Sequence, residues 1–254
     1  MTYSSLTFNN TLTSLKIPAI EECQFLLYQN NRRSTPEQSI ADIEALTNDR
    51  LGLLFEIFKN LPNESVIIDI GAGSSLVDMA LASLFPEKNF KFILVDGGED
   101  DINNLQTLGT KSTHYNENGY GTYNNWSFVK KVIDLNKLSL DNFTFVHPND
   151  FKECSADVVM SFSSWGWHYP LSTYLDIANA GLKKNGYISF MPLLNADHAL
   201  DKLNDMFGRA VNFRVMQFEE DKFASPEKEF VLGQIQSGKL QRDPFAFLGI
   251  WQRK

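Results

Sequence analysis

From residue 65 onward the chain alternates short β-branched runs with stretches of helical periodicity, and this limits its fold more than any other feature. The runs are "SVIIDI", "KFILVD", "NFTFVH", "ADVVMSF" and "GYISFMP". "SLVDMALASLF" and "YLDIANAGLKKNG" fall between them, with apolar residues three and four apart. Strands apolar on both faces and separated by helices imply a mainly parallel sheet covered on both sides. "FRVMQF" and "FAFLGIWQ" supply the final strands. The helix before "GYISFMP" is expected to end on Gly186, which follows two lysines and suits a left-handed cap. The expected architecture is a three-layer, doubly wound α/β domain.

Residues 1–62 read as a polar lead-in followed by helices, an N-terminal helical extension or cap. In "STPEQSIADIEAL" a helix start is marked by Ser34 or Thr35 before Pro36, with Glu37 close behind. Ile40, Ile43 and Leu46, then Leu51, Leu54, Phe55 and Phe58, recur at helical spacing. That stripe reads as core packing, with a helical cap over a ligand site as the alternative. Residues 63–254 form the main domain, with an insertion at about 97–126.

The 254 residues suit one large domain, and 20 phenylalanines help to fill its core. A net charge of −8 disfavours a phosphate backbone, so no nucleic-acid partner is expected. Cys23 and Cys154 are too few for a disulfide framework or a structural zinc site. "MTYSSLTFNN" lacks the basic start and apolar stretch of a signal peptide. No apolar run approaches the ~20 residues needed to span a bilayer. A cytoplasmic protein with no membrane partner is expected, with a homodimer open as the assembly.

The most informative motif is "VIIDIGAGSSLVDMALA". A strand ends at Asp69-Ile70, and Gly71-Ala72-Gly73-Ser74-Ser75 then turns the chain into a helix. Glycines reach unusual φ values and let a ligand approach the backbone. In a doubly wound sheet such a turn borders the crevice where ligands bind. The next strand ends at Asp96-Gly97, and an acidic residue there suits ribose hydroxyls. An adenosine-containing cofactor follows. A dinucleotide fingerprint would place a third glycine where this chain has Leu76, which counts against a nicotinamide-dependent dehydrogenase.

The stretch resembles motif I of class I S-adenosylmethionine-dependent methyltransferases, acidic-x-Gly-x-Gly-x-Gly, with Ser75 in place of the last glycine. The resemblance extends over roughly residues 64–192. It implies a seven-stranded sheet whose last strand is antiparallel, S-adenosylmethionine as cofactor and S-adenosylhomocysteine as product. It also implies Asp96 on the ribose, Asp150 facing the adenine amino group, Phe151 on the adenine ring and Asp69 near the methionine end. Gly71, Ala72, Gly73, Ser74, Gly97 and Ser161 join them as expected cofactor contacts.

In this fold the loop after the fourth strand lies beside the transferable methyl group, and here it reads "SWGWHYP". Trp165, Trp167 and Tyr169 are candidates to wall an acceptor site and exclude water. His168 is the first candidate base for an acceptor hydroxyl, with a lining or purely structural role left open. His198 in "MPLLNADHALD" is its rival, beside Asn195 as a substrate contact. The 97–126 insertion carries His114, Tyr120 and Tyr123 and reads as a lid or as a surface insertion. No metal is expected: Ser161 and Ser163 replace the aspartate of metal-dependent relatives, and Asp197 with His198 alone makes no site.

These features point to methyl transfer to a small polar acceptor, expected at a hydroxyl. The aromatic loop loosely resembles bacterial sugar O-methyltransferases. N-methylation of a small metabolite and a non-catalytic, cofactor-binding partner subunit stand as alternatives.

Overall fold

The five β-branched runs of the sequence become neighbours in one sheet, because strands apolar on both faces are buried only when flanked by other strands and covered by helices. A computed structural model describes residues 3–8, 13–19, 35–96, 126–151, 155–162, 165, 171–191, 199–216 and 246–254. The strands of the main sheet are β3 (Val66–Ile70), β4 (Lys91–Val95), β5 (Phe143–Val146), β6 (Ala156–Phe162), β7 (Leu182–Met191), β8 (Asn212–Met216) and β9 (Ala246–Gln252). Their order is β5-β4-β3-β6-β7-β9-β8. β9 runs antiparallel to both β7 and β8, while the pairs from β5 to β7 are all parallel. The seven-stranded sheet with its antiparallel last strand is the one expected.

Among the described residues four helices belong to this sheet: α2 (Leu76–Leu84), α3 (Trp126–Leu135), α4 (Leu175–Gly181) and α5 (Ala199–Phe207). Two apolar clusters result. One joins Ile67, Phe92, Met160, Met79, Val129 and Phe143; the other joins Ile68, Ile70, Val159, Ile188, Phe190 and Trp251. Alternate residues of β3 thus feed opposite faces, as the two-residue period of a strand requires.

The N-terminal region differs from the polar lead-in and helices expected of it. Tyr3–Phe8 (β1) and Thr13–Pro18 (β2) pair antiparallel, and one continuous helix, α1, runs from Pro36 to Asn60. Leu6, Phe8, Leu15 and Ile17 alternate along the pair, and all are buried in the first cluster with Met79, Val129 and Val132. Asn136, just past α3, grips Lys16 like a neighbouring strand: Lys16 N–H donates to its Oδ1, and its Nδ2 donates to Lys16 O, each at 2.8 Å. Glu44 of α1 accepts from Thr7 N–H. The start of α1 is as expected, with Thr35 Oγ1 accepting from Gln38 N–H at 3.3 Å. Its stripe buries Ile43, Leu51, Leu54 and Phe58, but Leu46 is 43% exposed.

The expected end of α4 needs correcting. The helix stops at Gly181, and Gly186 lies inside β7. Asn185, not Gly186, holds the left-handed conformation, with φ 64°. The Arg253 guanidinium donates to the carbonyls of Asn179 and Leu182, so a distant side chain serves the helix end that a glycine cap would have served. Among the described residues no helix is long and apolar enough to cross a membrane.

Candidate functional site

The carboxyl ends of β4, β3 and β6 lie side by side, and the strand order reverses between β3 and β6. β3 leads to β4 on one side, and β6 stands on the other with its own continuation outward to β7. Such a reversal opens a crevice at the sheet edge. The glycine turn sits over it.

Gly71 and Gly73 have φ 75° and 52°, which side chains with a Cβ rarely adopt. The turn hangs from the end of β4: Gly71 N–H donates to Val95 O at 2.7 Å, and Ala72 N–H to the same oxygen at 3.3 Å. Gly73 N–H donates to Asp96 Oδ2 at 2.6 Å. Asp96 is itself held by its N–H on Val146 O at 3.1 Å. The carboxylate after the second strand of the motif is therefore bound to the backbone of the glycine turn before any ligand is considered. Ser75 begins α2 in the left-handed conformation, φ 51°, and its side chain makes no cap bond.

Beneath the turn lies a group of charges. Asp69 pairs with Leu94 and Met160 in the sheet and is buried, as is Asp78 in the first turn of α2. Burial raises the Asp69 carboxyl to about 6, against the hydrogen bond with Asp78 and the charge of Arg50, which both pull it down. Burial also raises Asp78 well above the ordinary carboxyl range, and the charge of Asp69 and the hydrogen bond with it push the same way. As two carboxylates, Asp69 Oδ1 and both Asp78 oxygens have no donor. One proton, held on Asp78 and donated to Asp69, removes that conflict. Arg50, on α1, is lowered by burial to about 10, opposed by Asp69 and Asp49, and stays a cation at neutral pH. Its guanidinium carbon stands 5.3 Å from the centre of the Phe162 ring at the end of β6.

Arg50 and Asp78 were absent from the sequence expectations, although each leaves a trace. Arg50 is seven residues after Ile43 and four before Leu54, on the apolar stripe of α1, where a charge is out of place. Asp78 interrupts a helix whose residues 76–81 are otherwise apolar and all buried.

The other expected residues fall in three groups. Asp69, Gly71, Ala72, Gly73, Ser74 and Asp96 come together at the turn. Asp150 is exposed on a short 3-10 turn after β5, and Phe151 next to it is buried with Ile70 and Val95. Two expectations are corrected. Ser161 is buried with its hydroxyl engaged, donating to Ile70 O at 2.6 Å and accepting from Trp165 N–H at 3.2 Å. It fastens β6 to the end of β3 and is no surface contact. Trp165 is 0% exposed, with its ring 4.6 Å from that of Phe190 and 6.1 Å from that of Tyr174. It is core, because the β6 end turns it inward through the Ser161 bond, and it walls no acceptor site. Gly97, His114, Tyr120, Tyr123, Trp167, His168, Tyr169, Asn195 and His198 lie outside the described residues.

No protein-family model matches the chain, and no curated protein matches it. Solved structures do. Trm5 of Methanocaldococcus jannaschii, in complex with adenosine, matches with a TM-score of 0.50 and 13% identity, over 100% of this chain and 56% of that one. The M. jannaschii tRNA m1G37 methyltransferase gives 0.47 and 15%, over 82% of this chain and 51% of that one. Precorrin-6y C5,15-methyltransferase of Geobacter metallireducens gives 0.44 and 14%, over 82% and 89%. Methyltransferases of this fold thus include one that acts on tRNA, so the expectation of no nucleic-acid partner, drawn from net charge, does not stand. Whole-chain charge says nothing of the local field at one sheet edge, which is what a partner meets. The strand order and the match to Trm5 give this chain the class I methyltransferase fold.

Proposed function

We propose that the chain is an S-adenosylmethionine-dependent methyltransferase that transfers the methyl group to a small polar acceptor at a hydroxyl. The observation that carries this reading is the Asp96 carboxylate bound to Gly73 N–H at 2.6 Å, at the point where the strand order reverses. A carboxylate accepts several hydrogen bonds, so one group serves both the turn and a pair of ribose hydroxyls. The residues fit an adenosyl group. Two glycines at positive φ leave the turn without side-chain bulk, and the buried Ser75 Oγ beside them lacks a hydrogen-bond partner.

Gly71 to Ser74 would hold the adenosyl group, Asp96 its ribose, and Asp150 with Phe151 its base. When bound, the cofactor supplies an electrophilic methyl group on sulfur. The protein's task is then alignment and exclusion of water. In this reading Trp167 and Tyr169 enclose the acceptor, and His168 takes the proton from its hydroxyl. The segment that carries them continues from β6, whose end is fixed to β3 by Ser161.

Titration calorimetry with S-adenosylhomocysteine tests the reading. The native protein binds it, and Asp96→Ala weakens it ~10- to 100-fold, since a charged hydrogen-bond acceptor contributes about 1.5–3 kcal/mol. No uptake by the native protein, or an unchanged affinity in the variant, refutes the assignment. A panel of sugars, phenols, amines and tRNA with methyl-labelled cofactor then identifies the acceptor class.

A further inference from the structure

Asp69 and Asp78 stand at the two ends of the glycine turn, and the proposed function gives Asp78 no task. Asp69 is the fourth residue of β3 and Asp78 the third of α2, so Gly71 to Ser75 is chain strung between them. Their side chains meet in a hydrogen bond, and the two residues are 5% and 0% exposed. The middle of the turn is held from β4 and Asp96, through Gly71 N–H on Val95 O at 2.7 Å and Gly73 N–H on Asp96 Oδ2 at 2.6 Å. The helix end has less. Ser75 opens α2 in the left-handed conformation, φ 51°, and its side chain gives no cap bond to the first N–H groups. The bond between Asp78 and Asp69 therefore ties the start of α2 to the end of β3 and sets the distance that the turn must span.

That bond lasts only while the pair keeps a proton, because a carboxylate accepts and cannot donate. An acid in the first turn of a helix is ordinarily favoured as the anion by the helix dipole. Here the balance goes the other way, since Asp78 is fully buried and faces a second carboxyl group. Among the described residues Arg50, with Asp49 beside it on α1, is the cation that acts on Asp69. Asp96 is engaged by Gly73 N–H, and Glu44 of α1 by Thr7 N–H. On the flanking strands the neighbours of Asp69 are Leu94 and Met160. Lys91 of β4 and Asp157 of β6 lie at the far ends of their strands, level with Val66. Lys16 of β2 is exposed over the Tyr3 ring, and Lys88, past the far end of α2, donates to Leu61 O. Asp78 is the only charged residue of α2. With one cation beside it the pair carries one negative charge; a second removes the bond and sets two anions against each other.

We propose that Asp78 is a positioning residue for the cofactor: the proton it shares with Asp69 holds the glycine turn in its ligand-binding shape, and loss of that proton at alkaline pH weakens binding. Asp78 touches no cofactor atom; it acts through the two ends of the turn. This rests on the adenosyl-cofactor reading. 5′-Methylthioadenosine is the main probe, because it has the adenosyl group and no amine to titrate, so a pH dependence of its binding belongs to the protein. S-Adenosylhomocysteine is the reference ligand at neutral pH.

The experiment is calorimetric titration of both ligands into the native protein, Asp78→Asn and Asp78→Ala from about pH 7 to about pH 10, with circular dichroism at each pH to keep the comparison to folded protein. Native affinity for 5′-methylthioadenosine should fall toward ~10-fold per pH unit once the free protein loses the proton, the limit for one linked proton. Linkage also requires that binding in that range take up a proton, seen as a binding enthalpy that varies with the ionisation enthalpy of the buffer. Asp78→Asn keeps an N–H donor for Asp69 without a second ionisation, so its affinity should stay level with pH. Asp78→Ala has no donor and should bind ~2- to 10-fold more weakly than Asp78→Asn at neutral pH, the range of one hydrogen bond. If native affinity is level with pH, if Asp78→Asn falls in parallel with it, or if Asp78→Ala matches Asp78→Asn, the positioning role is overturned while the cofactor reading stands. Native binding without proton uptake overturns it even where neither variant folds. A native protein that binds neither ligand at neutral pH overturns both.

Discussion

Replacing Asp78 by asparagine isolates what it costs to bury two carboxyl groups side by side under the glycine turn. The charged groups concerned are Asp69 on β3, Asp78 on α2, and Arg50 with Asp49 on α1. Burial carries Asp69 from 3.8 to about 6, and carries Asp78 higher still. Both groups are raised in the folded state, so in this range the folded protein keeps protons that the unfolded chain has released. Their contribution to stability is complete below about pH 4 and is lost as pH rises through the folded values. For Asp69 the interval from 3.8 to about 6 is about two units. Each unit is worth about 1.4 kcal/mol, so the loss is about 3 kcal/mol. Asp78 adds a loss of the same sign at higher pH.

Asparagine at position 78 keeps an N–H donor for Asp69 and removes the second ionisation. The variant should then stop losing stability once Asp69 has ionised, whereas the native protein continues to lose it. Urea denaturation followed through the buried tryptophans, Trp165 and Trp251, measures both proteins from about pH 5 to about pH 9. The variant should gain on the native protein steadily toward the alkaline end. A difference that stays constant with pH refutes the shared-proton pair. A native protein that gains on the variant as pH rises would mean that Asp78 is ionised and well partnered, which also refutes it.

Three other substitutions probe the scaffold of the site. Ser161→Ala leaves Ile70 O and Trp165 N–H without their partner in a buried place, and should cost about 1–3 kcal/mol in the same denaturation assay. Gly186→Ala places a Cβ 2.9 Å from Lys183 O and 3.0 Å from Asp157 O, both backbone, and should lower stability by about 1–3 kcal/mol. Leu15→Ala removes a side chain buried between β2 and the helices of the main domain, with an expected loss of about 2–5 kcal/mol by urea midpoint. A loss near zero there would show that the β1–β2 pair is a detachable tail.

What the sequence made legible was local. The strands at Val66, Phe92, Phe143, Val158 and Ile188 could be read because β-branched apolar runs bounded by glycine or charge carry their own signal. The Thr35 cap and the glycine turn likewise depend on neighbours within a few residues. What stayed hidden depends on contacts across the chain. Leu6, Phe8, Leu15 and Ile17 alternate as strand residues should, but two six-residue runs say little until α2 and α3 give them a surface to cover. Gly186 looked like a helix cap because nothing nearby shows that Arg253, 67 residues later, takes the carbonyls at the end of α4. Trp165 looked like a pocket wall because its turn inward is set by Ser161 and Phe190.

The same reasoning explains why sequence patterning fails at Arg50 and Asp78. A charged residue on an apolar stripe lowers stability unless something compensates it. Arg50 has Asp69 and the face of Phe162 for that purpose, and Asp78 has a proton to share with Asp69. A fold selected for stability alone would have apolar side chains at all three positions, as replacement of buried ion pairs in other proteins often proves neutral or favourable. Arg50, Asp69 and Asp78 instead gather at the edge where the strand order reverses, the place at which doubly wound sheets bind their ligands.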